Sequence, residues 1–267
     1  MKKYLSLITL LFTIFIFSQN DENDNTPVNL KDAKIGYIID LNNQRKEVYV
    51  RLLGNDNKPW VNQRAVRVAE IDKVDPKTNK VDFDRMSNDE ILGYGVDGRN
   101  FRLIEYVNVR AATTSAKSDS NIFDDLNSVK NLTKQKHLAE ILVDGKYKVY
   151  KLYGYPKIMD VTTSDEERRE NEDQLELLRT SPTLIVQKDN DKFEVIKLEN
   201  FEKIAKDCKV VSKKLENGDY DSLGYEKPKK SSLMGKMIKM AQNQYNGNVA
   251  KESLIITFFN DLNENCK

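Results

Sequence analysis

Histidine and tryptophan each occur once in this chain of 267 residues, and cysteine occurs twice. A single imidazole, His137, must therefore serve any chemistry that depends on one. A Ser-His-Asp triad or an HExxH zinc site either recruits that ring or is absent. His137 opens the apolar run His137–Val143 with no acid or cysteine pattern around it, which reads as structural use of the ring. The GxSxG, CxxC and P-loop patterns do not occur, so the local signatures of hydrolase, redox and phosphate-binding sites are missing. Two acids could still act as a glycosidase pair, but no spacing among the 42 acidic residues selects one. No catalytic, cofactor-binding or metal-ligating residue is assigned on this basis, and no cofactor is expected.

A surplus of positive charge is also lacking. Residues 1–18 contain two lysines and no acid, so without them 41 basic residues face 42 acidic ones. A nucleic-acid binder carries a basic excess that displaces counterions from phosphates, and this balance argues against such a partner. Only one long apolar run is present, Tyr4–Phe17, and it is shorter than the roughly 20 residues a membrane-crossing helix needs. Lys2 and Lys3 precede it, Ser18 supplies a small residue, and Gln19-Asn20-Asp21-Glu22 turns polar. That is the layout of a secretory signal peptide, with cleavage expected between Ser18 and Gln19. A retained anchor is the alternative. Cleavage would leave no transmembrane segment and a periplasmic, cell-surface or secreted product.

Export changes the reading of the cysteines. An even number in an oxidising compartment favours a disulfide. Phe201, Ile204, Ala205, Cys208, Val211 and Leu215 recur at helical spacing, as do Leu254, Ile255, Phe258, Phe259, Leu262 and Cys266. Both cysteines thus lie on apolar helix faces, and Cys208–Cys266 is the expected bond. Two unpaired buried thiols are the alternative.

Alternation of apolar and charged residues predicts strands from Ala33 to about Tyr155. Ile35–Leu41 and Lys46–Leu53 flank the turn-prone Asn42-Asn43-Gln44. His137–Val143 and Lys146–Tyr153 flank Asp144-Gly145, a pair suited to a type I′ turn with two positive φ angles. Arg64–Ile71 and Phe101–Val109 read as further strands, and Asp75–Asn88 as a polar connection. Gly93-Tyr94-Gly95-Val96-Asp97-Gly98 spells GxGxxG, but a strand pattern follows it where a dinucleotide site needs a helix. It reads as a turn joining two strands.

Ser164–Arg179 is rich in helix formers, a hairpin is expected over Leu184–Leu198, and helices over Phe201–Glu216, Ser232–Asn243 and Lys251–Asn263. Strands first and helices last predict an α+β fold. Its antiparallel sheet, open or half-barrel-like, occupies the N-terminal half under a helical C-terminal layer. The organisation expected is a signal peptide (1–18), a flexible linker (19–32) and one α+β domain (33–267). That domain is β-rich over 33–160, followed by a helix, a hairpin and further helices over 161–267. Two surface candidates stand out. Trp60, after Pro59, could stack on a sugar or a protein, or anchor the core. Lys236 and Lys239 flank Met237 in a basic, Met-rich amphipathic segment suited to an anionic membrane or a partner, or to burial on its Met face.

Gly36-Tyr37-Ile38-Ile39, Gly93–Gly98 with Phe101, Leu142–Gly145 followed by Val149–Tyr153, Phe201 with Asp207-Cys208, and Tyr245-Asn246 are spread over most of the chain. With the Lys/Asn-rich composition, the chain resembles a loosely defined group of exported proteins of Bacteroidota, of flavobacterial type, for which no activity is established. The resemblance implies a cell-envelope setting and supplies no activity to carry over. The expectation is a non-enzymatic envelope protein acting through protein or surface contacts. The alternative is a glycan- or lipid-binding, or hydrolytic, module using the concave face of the sheet.

Overall fold

A computed structural model describes residues 28–107, 134–156, 164–225 and 248–266. Twelve strands and four α-helices lie among them. The strands are β1 (Val28–Asn29), β2 (Lys34–Asp40), β3 (Arg45–Arg51), β4 (Ala65–Ala69), β5 (Lys80–Val81), β6 (Asp84–Ser87), β7 (Ile91–Val96), β8 (Arg99–Tyr106), β9 (Gln135–Val143), β10 (Tyr147–Leu152), β11 (Thr183–Lys188) and β12 (Glu194–Val195). The helices are α1 (Asp165–Thr180), α2 (Phe201–Ala205), α3 (Lys209–Asn217) and α4 (Asn248–Asn265). Ten strands form one antiparallel sheet in the order β12-β11-β10-β9-β8-β7-β2-β3-β4-β6, and β1 pairs separately with β5. The fold is α+β, with the large sheet first in the chain and helices mostly after it.

The connection between β6 and β7 forces this sheet to bend. Only residues 88–90 separate the two strands, so Ser87 and Ile91 lie at most about 14 Å apart. Four strand spacings, about 19 Å in a flat sheet, separate them in the pairing order. The sheet therefore coils until β6 comes back towards β7, without closing into a barrel. Asn88 spans the gap: its N–H donates to the Arg64 carbonyl at 2.8 Å and its Nδ2 to the Lys136 carbonyl at 2.6 Å. Inside the curl, Ile38, Val50, Val66, Ile91, Tyr94, Phe101 and Leu138 form one apolar core. Tyr94 stacks on Phe101 with ring centroids 4.3 Å apart.

Two hairpins show what local sequence decides and what it does not. Asp97 and Gly98 both take positive φ, 56° and 76°, so the GxGxxG match is a type I′ turn between β7 and β8 with no helix behind it. Asp144-Gly145 joins β9 to β10 as expected, but neither residue has positive φ, which corrects the type I′ expectation. Asn263 of α4 explains the difference. Its Oδ1 accepts the Tyr147 N–H at 2.7 Å and its Nδ2 donates to the Tyr147 carbonyl at 2.9 Å. The loop is shaped by a residue far along the chain rather than by its own dipeptide.

Past the curl, the same sheet face carries Val143, Val149 and Val186, and the C-terminal helices cover them. Phe201, Val211, Leu254, Phe258, Phe259 and Leu262 complete this second core, with Phe201 and Phe258 stacked at 3.9 Å between centroids. Burying each of these rings is worth about 2 kcal/mol in apolar transfer. The helix expected over Phe201–Glu216 is two helices broken at Cys208, whose backbone is extended (φ −115°, ψ 95°). No glycine or proline marks the break. The Ala205 carbonyl is satisfied instead by the Cys208 N–H at 2.8 Å and the Ser212 hydroxyl at 2.7 Å. Cys208 and Cys266 form the expected disulfide, with Cα atoms 5.5 Å apart.

Two further expectations are corrected. Residues 28–32, read as flexible linker, hold β1 and a helical turn over Leu30–Asp32. The Asp75–Asn88 connection contains β5 and β6. Each of these strands is too short to give a readable alternation.

Candidate functional site

Between the curled core and the helix-covered core, the concave sheet face is interrupted by charge. Leu138, Glu140 and Leu142 follow one another along this face of β9. Leu138 belongs to the first core and Leu142 packs on the second. Glu140 occupies the seam. In the strand register it lies between Phe101 of β8 and Lys151 of β10. The inward phase that an aliphatic residue fills elsewhere is taken here by an acid and, opposite it, a lysine.

Arg99, at the start of β8, grips Glu140 with both arms of its fork. Nε donates to Oε1 and Nη2 to Oε2, each at 2.8 Å. Such a paired geometry fixes both side chains, and the Glu140 hydrogen bond holds the Arg99 guanidinium above its usual pKa. Lys151 pairs with Glu252 of α4 at 2.8 Å. Burial is the largest influence and acts against the Lys151 ammonium, but the Glu252 hydrogen bond together with the charges of Tyr153, Glu252 and Glu140 overcomes it, and the lysine pKa is raised. Tyr153, half-buried beside Lys151, has its phenol pushed up by burial.

These residues form the floor of a cleft of about 250 Å³. One wall is the segment from Asn55 to Asn62, held by two consecutive carboxamides. Asn62 accepts the Gly54 N–H at 2.7 Å and donates to the Gly54 carbonyl at 2.8 Å. Gln63 makes the same two-way bond with Tyr153, 2.6 Å to its N–H and 3.0 Å to its carbonyl. Both carboxamides are buried, and Tyr94 adds a hydroxyl donated to the Asn62 carbonyl at 2.9 Å. The wall is thus bolted to the floor by side chains, and Asn55 and Asp56 stand on its rim. Arg179, in the last turn of α1, closes the far side, paired with Glu176 and donating to Asn57 Oδ1 at 2.7 Å.

Trp60 sits behind this wall. It is buried in the helical turn Pro59–Gln63 and packs with Tyr155 and Leu178, so it supports the cleft and offers no face to it. His137 is buried too. Its Nε2 faces the Tyr106 carbonyl at 3.3 Å and its Nδ1 the Tyr155 hydroxyl at 3.0 Å. A carbonyl only accepts, so Nε2 carries the proton and Nδ1 accepts from Tyr155. Burial pushes this imidazole down to about 4, with the Arg64 charge adding to the effect and the Tyr106 contact opposing it. The ring is neutral and turned away from the cleft. Lys236, Met237, Lys239, Ser18 and Gln19 lie outside the described residues.

None of the cleft's charged residues stands out by sequence motif. The available signal was a charge at the inward phase of an otherwise apolar strand, Glu140 in His137–Val143 and Lys151 in Val149–Tyr153. Among the described residues no group of three or more His, Cys, Asp or Glu side chains is placed to hold a metal ion, and no helix is long and apolar enough to cross a membrane. Comparison with known protein families, curated proteins and solved structures finds no match to this chain.

Proposed function

We propose that this chain is a non-enzymatic exported protein of the cell envelope, periplasmic or at the surface, that works by binding through the polar cleft on its concave sheet face. The observation that carries binding over catalysis is the Arg99–Glu140 pair. A carboxylate held by two guanidinium donors is a weak base and a weak nucleophile, because any reaction must first break both bonds. The one histidine is buried, neutral and committed to Tyr155 and Tyr106. A rigid, paired set of polar groups is suited to recognition.

Export is supported by the Cys208–Cys266 bond, which joins the only two cysteines of the chain and persists in oxidising compartments. The flavobacterial resemblance supplies the envelope as its setting. Denaturing maleimide labelling of native cells tests the compartment: no label before reduction and two per chain after it are expected, and label without reduction would remove the export reading. Proximity cross-linking in the same cells tests the binding role, with an envelope component captured at the cleft as the expected result. A purified chain that turned over envelope polymers would overturn the non-enzymatic reading.

A further inference from the structure

The cleft also carries information on what it binds, and the following step rests on the binding reading above. We propose that its ligand is a neutral polyhydroxylated ring, the sugar unit of a glycan, held by Arg99, Glu140, Lys151 and the rim residues Asn55 and Asp56.

Charge bookkeeping excludes the simpler ligands first. Three cations line the cleft, but each already has a carboxylate: Glu140 for Arg99, Glu252 for Lys151 and Glu176 for Arg179. Each pair is neutral as a unit, so an incoming anion meets no net positive charge. It could use only the spare N–H groups while facing Glu140 and Asp56, and displacing Glu140 or Glu252 would leave a half-buried carboxylate without its partner. A cation would find these three carboxylates already engaged and only the exposed, solvent-screened Asp56 to pair with on the rim. An acyl chain would leave the polar lining unpaired, at a cost of about 1–3 kcal/mol for each buried group. What remains is a ligand that is polar and uncharged.

The unused bonding capacity has the character a sugar hydroxyl requires. The Arg99–Glu140 contact uses Nε and Nη2 of the arginine, leaving Nη1 outside the pair. Each Glu140 oxygen accepts one bond from Arg99 and has a second lone pair. A hydroxyl both donates and accepts, so adjacent hydroxyls of one ring can accept from the cations and donate to Glu140 and Asp56 without breaking either ion pair. Tyr153 adds a half-buried aromatic ring on the floor, the type of surface on which the C–H face of a sugar rests. The volume, about 250 Å³, lies just under the roughly 300–1,000 Å³ of sites for drug-sized ligands. One ring fits, with the rest of a chain left outside.

The test is backbone amide NMR on the folded, oxidised protein, titrated with methyl glucoside, methyl galactoside and methyl mannoside, with a linear tetrasaccharide, and with glucuronate and inorganic phosphate. At least one neutral glycoside is expected to shift Arg99, Glu140 and Lys151 in the millimolar range. A tetrasaccharide bound more tightly than its methyl glycoside would identify a chain end as the source, and equal binding a free sugar; either result supports the inference. Glu140→Gln should weaken the interaction about tenfold, as expected for one lost charged hydrogen bond. Asp56→Asn, on the exposed rim, provides a second variant should Glu140→Gln fail to fold, with weakening of a few fold expected. Shifts from phosphate or glucuronate alone would overturn the inference and make the cleft an anion site. No shift from any saccharide, combined with an envelope polypeptide captured by a photo-cross-linker at position 56, would overturn the glycan inference while leaving the binding role intact. No shift and no cross-link would remove both.

Discussion

Arg99 and Glu140 bind each other through two parallel contacts of 2.8 Å in the one polar strip between two apolar cores. The strip is costly. Either residue alone, facing Phe101 and Leu138, would be a charge without a partner on a half-buried surface. Arg99 keeps 34% of its side chain exposed against 12% for Glu140, so solvent screens the pair well below the roughly 3–5 kcal/mol at stake when a fully buried pair is broken. Glu140→Gln and Arg99→Gln are each expected to cost about 1–2 kcal/mol in chemical denaturation. The double variant should cost less than the two together by about 1 kcal/mol. Strictly additive losses would show that the two side chains are not coupled.

His137 gives the fold a pH dependence with a definite sign. Its imidazole has an ordinary value of 6.5 and is pushed down to about 4 in the folded chain, chiefly by burial. Between those values the unfolded chain binds a proton that the folded chain refuses, so stability rises with pH through this window. The contribution is complete above about 6.5 and is lost as pH falls towards 4. Between pH 7 and pH 4.5 the loss from this ring is about 2.5 kcal/mol. His137→Gln offers both a donor and an acceptor to Tyr106 and Tyr155 but does not titrate. Denaturant midpoints at the two pH values should therefore differ less in the variant than in the parent. An unchanged difference would show that His137 is already protonated or already exposed.

Where neighbours along the chain decided the structure, the sequence was readable. The Asp97-Gly98 turn, the apolar faces around Cys208 and Cys266, and the strands-then-helices order all follow from spacing and residue type. Contacts that join distant residues were not readable. The Asp144-Gly145 loop takes its shape from Asn263, and the break at Cys208 is satisfied by Ser212 rather than marked by glycine or proline. The curl of the sheet is implied by the short 88–90 connection only once β6 and β7 are placed in the pairing order. The cleft has the same origin. Glu140 reads as one charge among 42 acidic residues until the register sets it opposite Lys151 and within reach of Arg99.

The disulfide fastens the end of α4 to the break between α2 and α3 across a sequence separation of 58 residues. On the chain-entropy account, closing a loop of that length stabilises the fold by about 4 kcal/mol. The bond does not hold α4 alone. Asp261 accepts from Lys214 Nζ and Tyr220 Oη, each at 2.6 Å, and the Phe258 and Phe259 rings are fully buried. The variant Cys208→Ala with Cys266→Ala should therefore stay folded at room temperature but unfold at clearly lower denaturant, by about 2–5 kcal/mol. A shift under about 1 kcal/mol would mean that packing already constrains these helices in the unfolded ensemble.

Gly36 tests the closeness of β2 to β7 in the curled sheet. A Cβ placed there would lie 2.2 Å from the Gly95 carbonyl oxygen and 2.9 Å from a Val50 methyl. The first neighbour is backbone in a paired strand and cannot swing aside, so Gly36→Ala must push β7 from β2 or flatten the curl around the Ile38–Val50 core. Overpacking of this kind costs about 3 kcal/mol. Gly98 is the contrasting case, because nothing lies within 4 Å of its Cβ position and only its φ of +76° opposes a side chain. Asparagine tolerates that region, so Gly98→Asn should cost less than about 1 kcal/mol. Thermal unfolding of the two variants side by side checks the relationship. A Gly36→Ala protein as stable as Gly98→Asn would show that β2 and β7 lie farther apart than this packing requires.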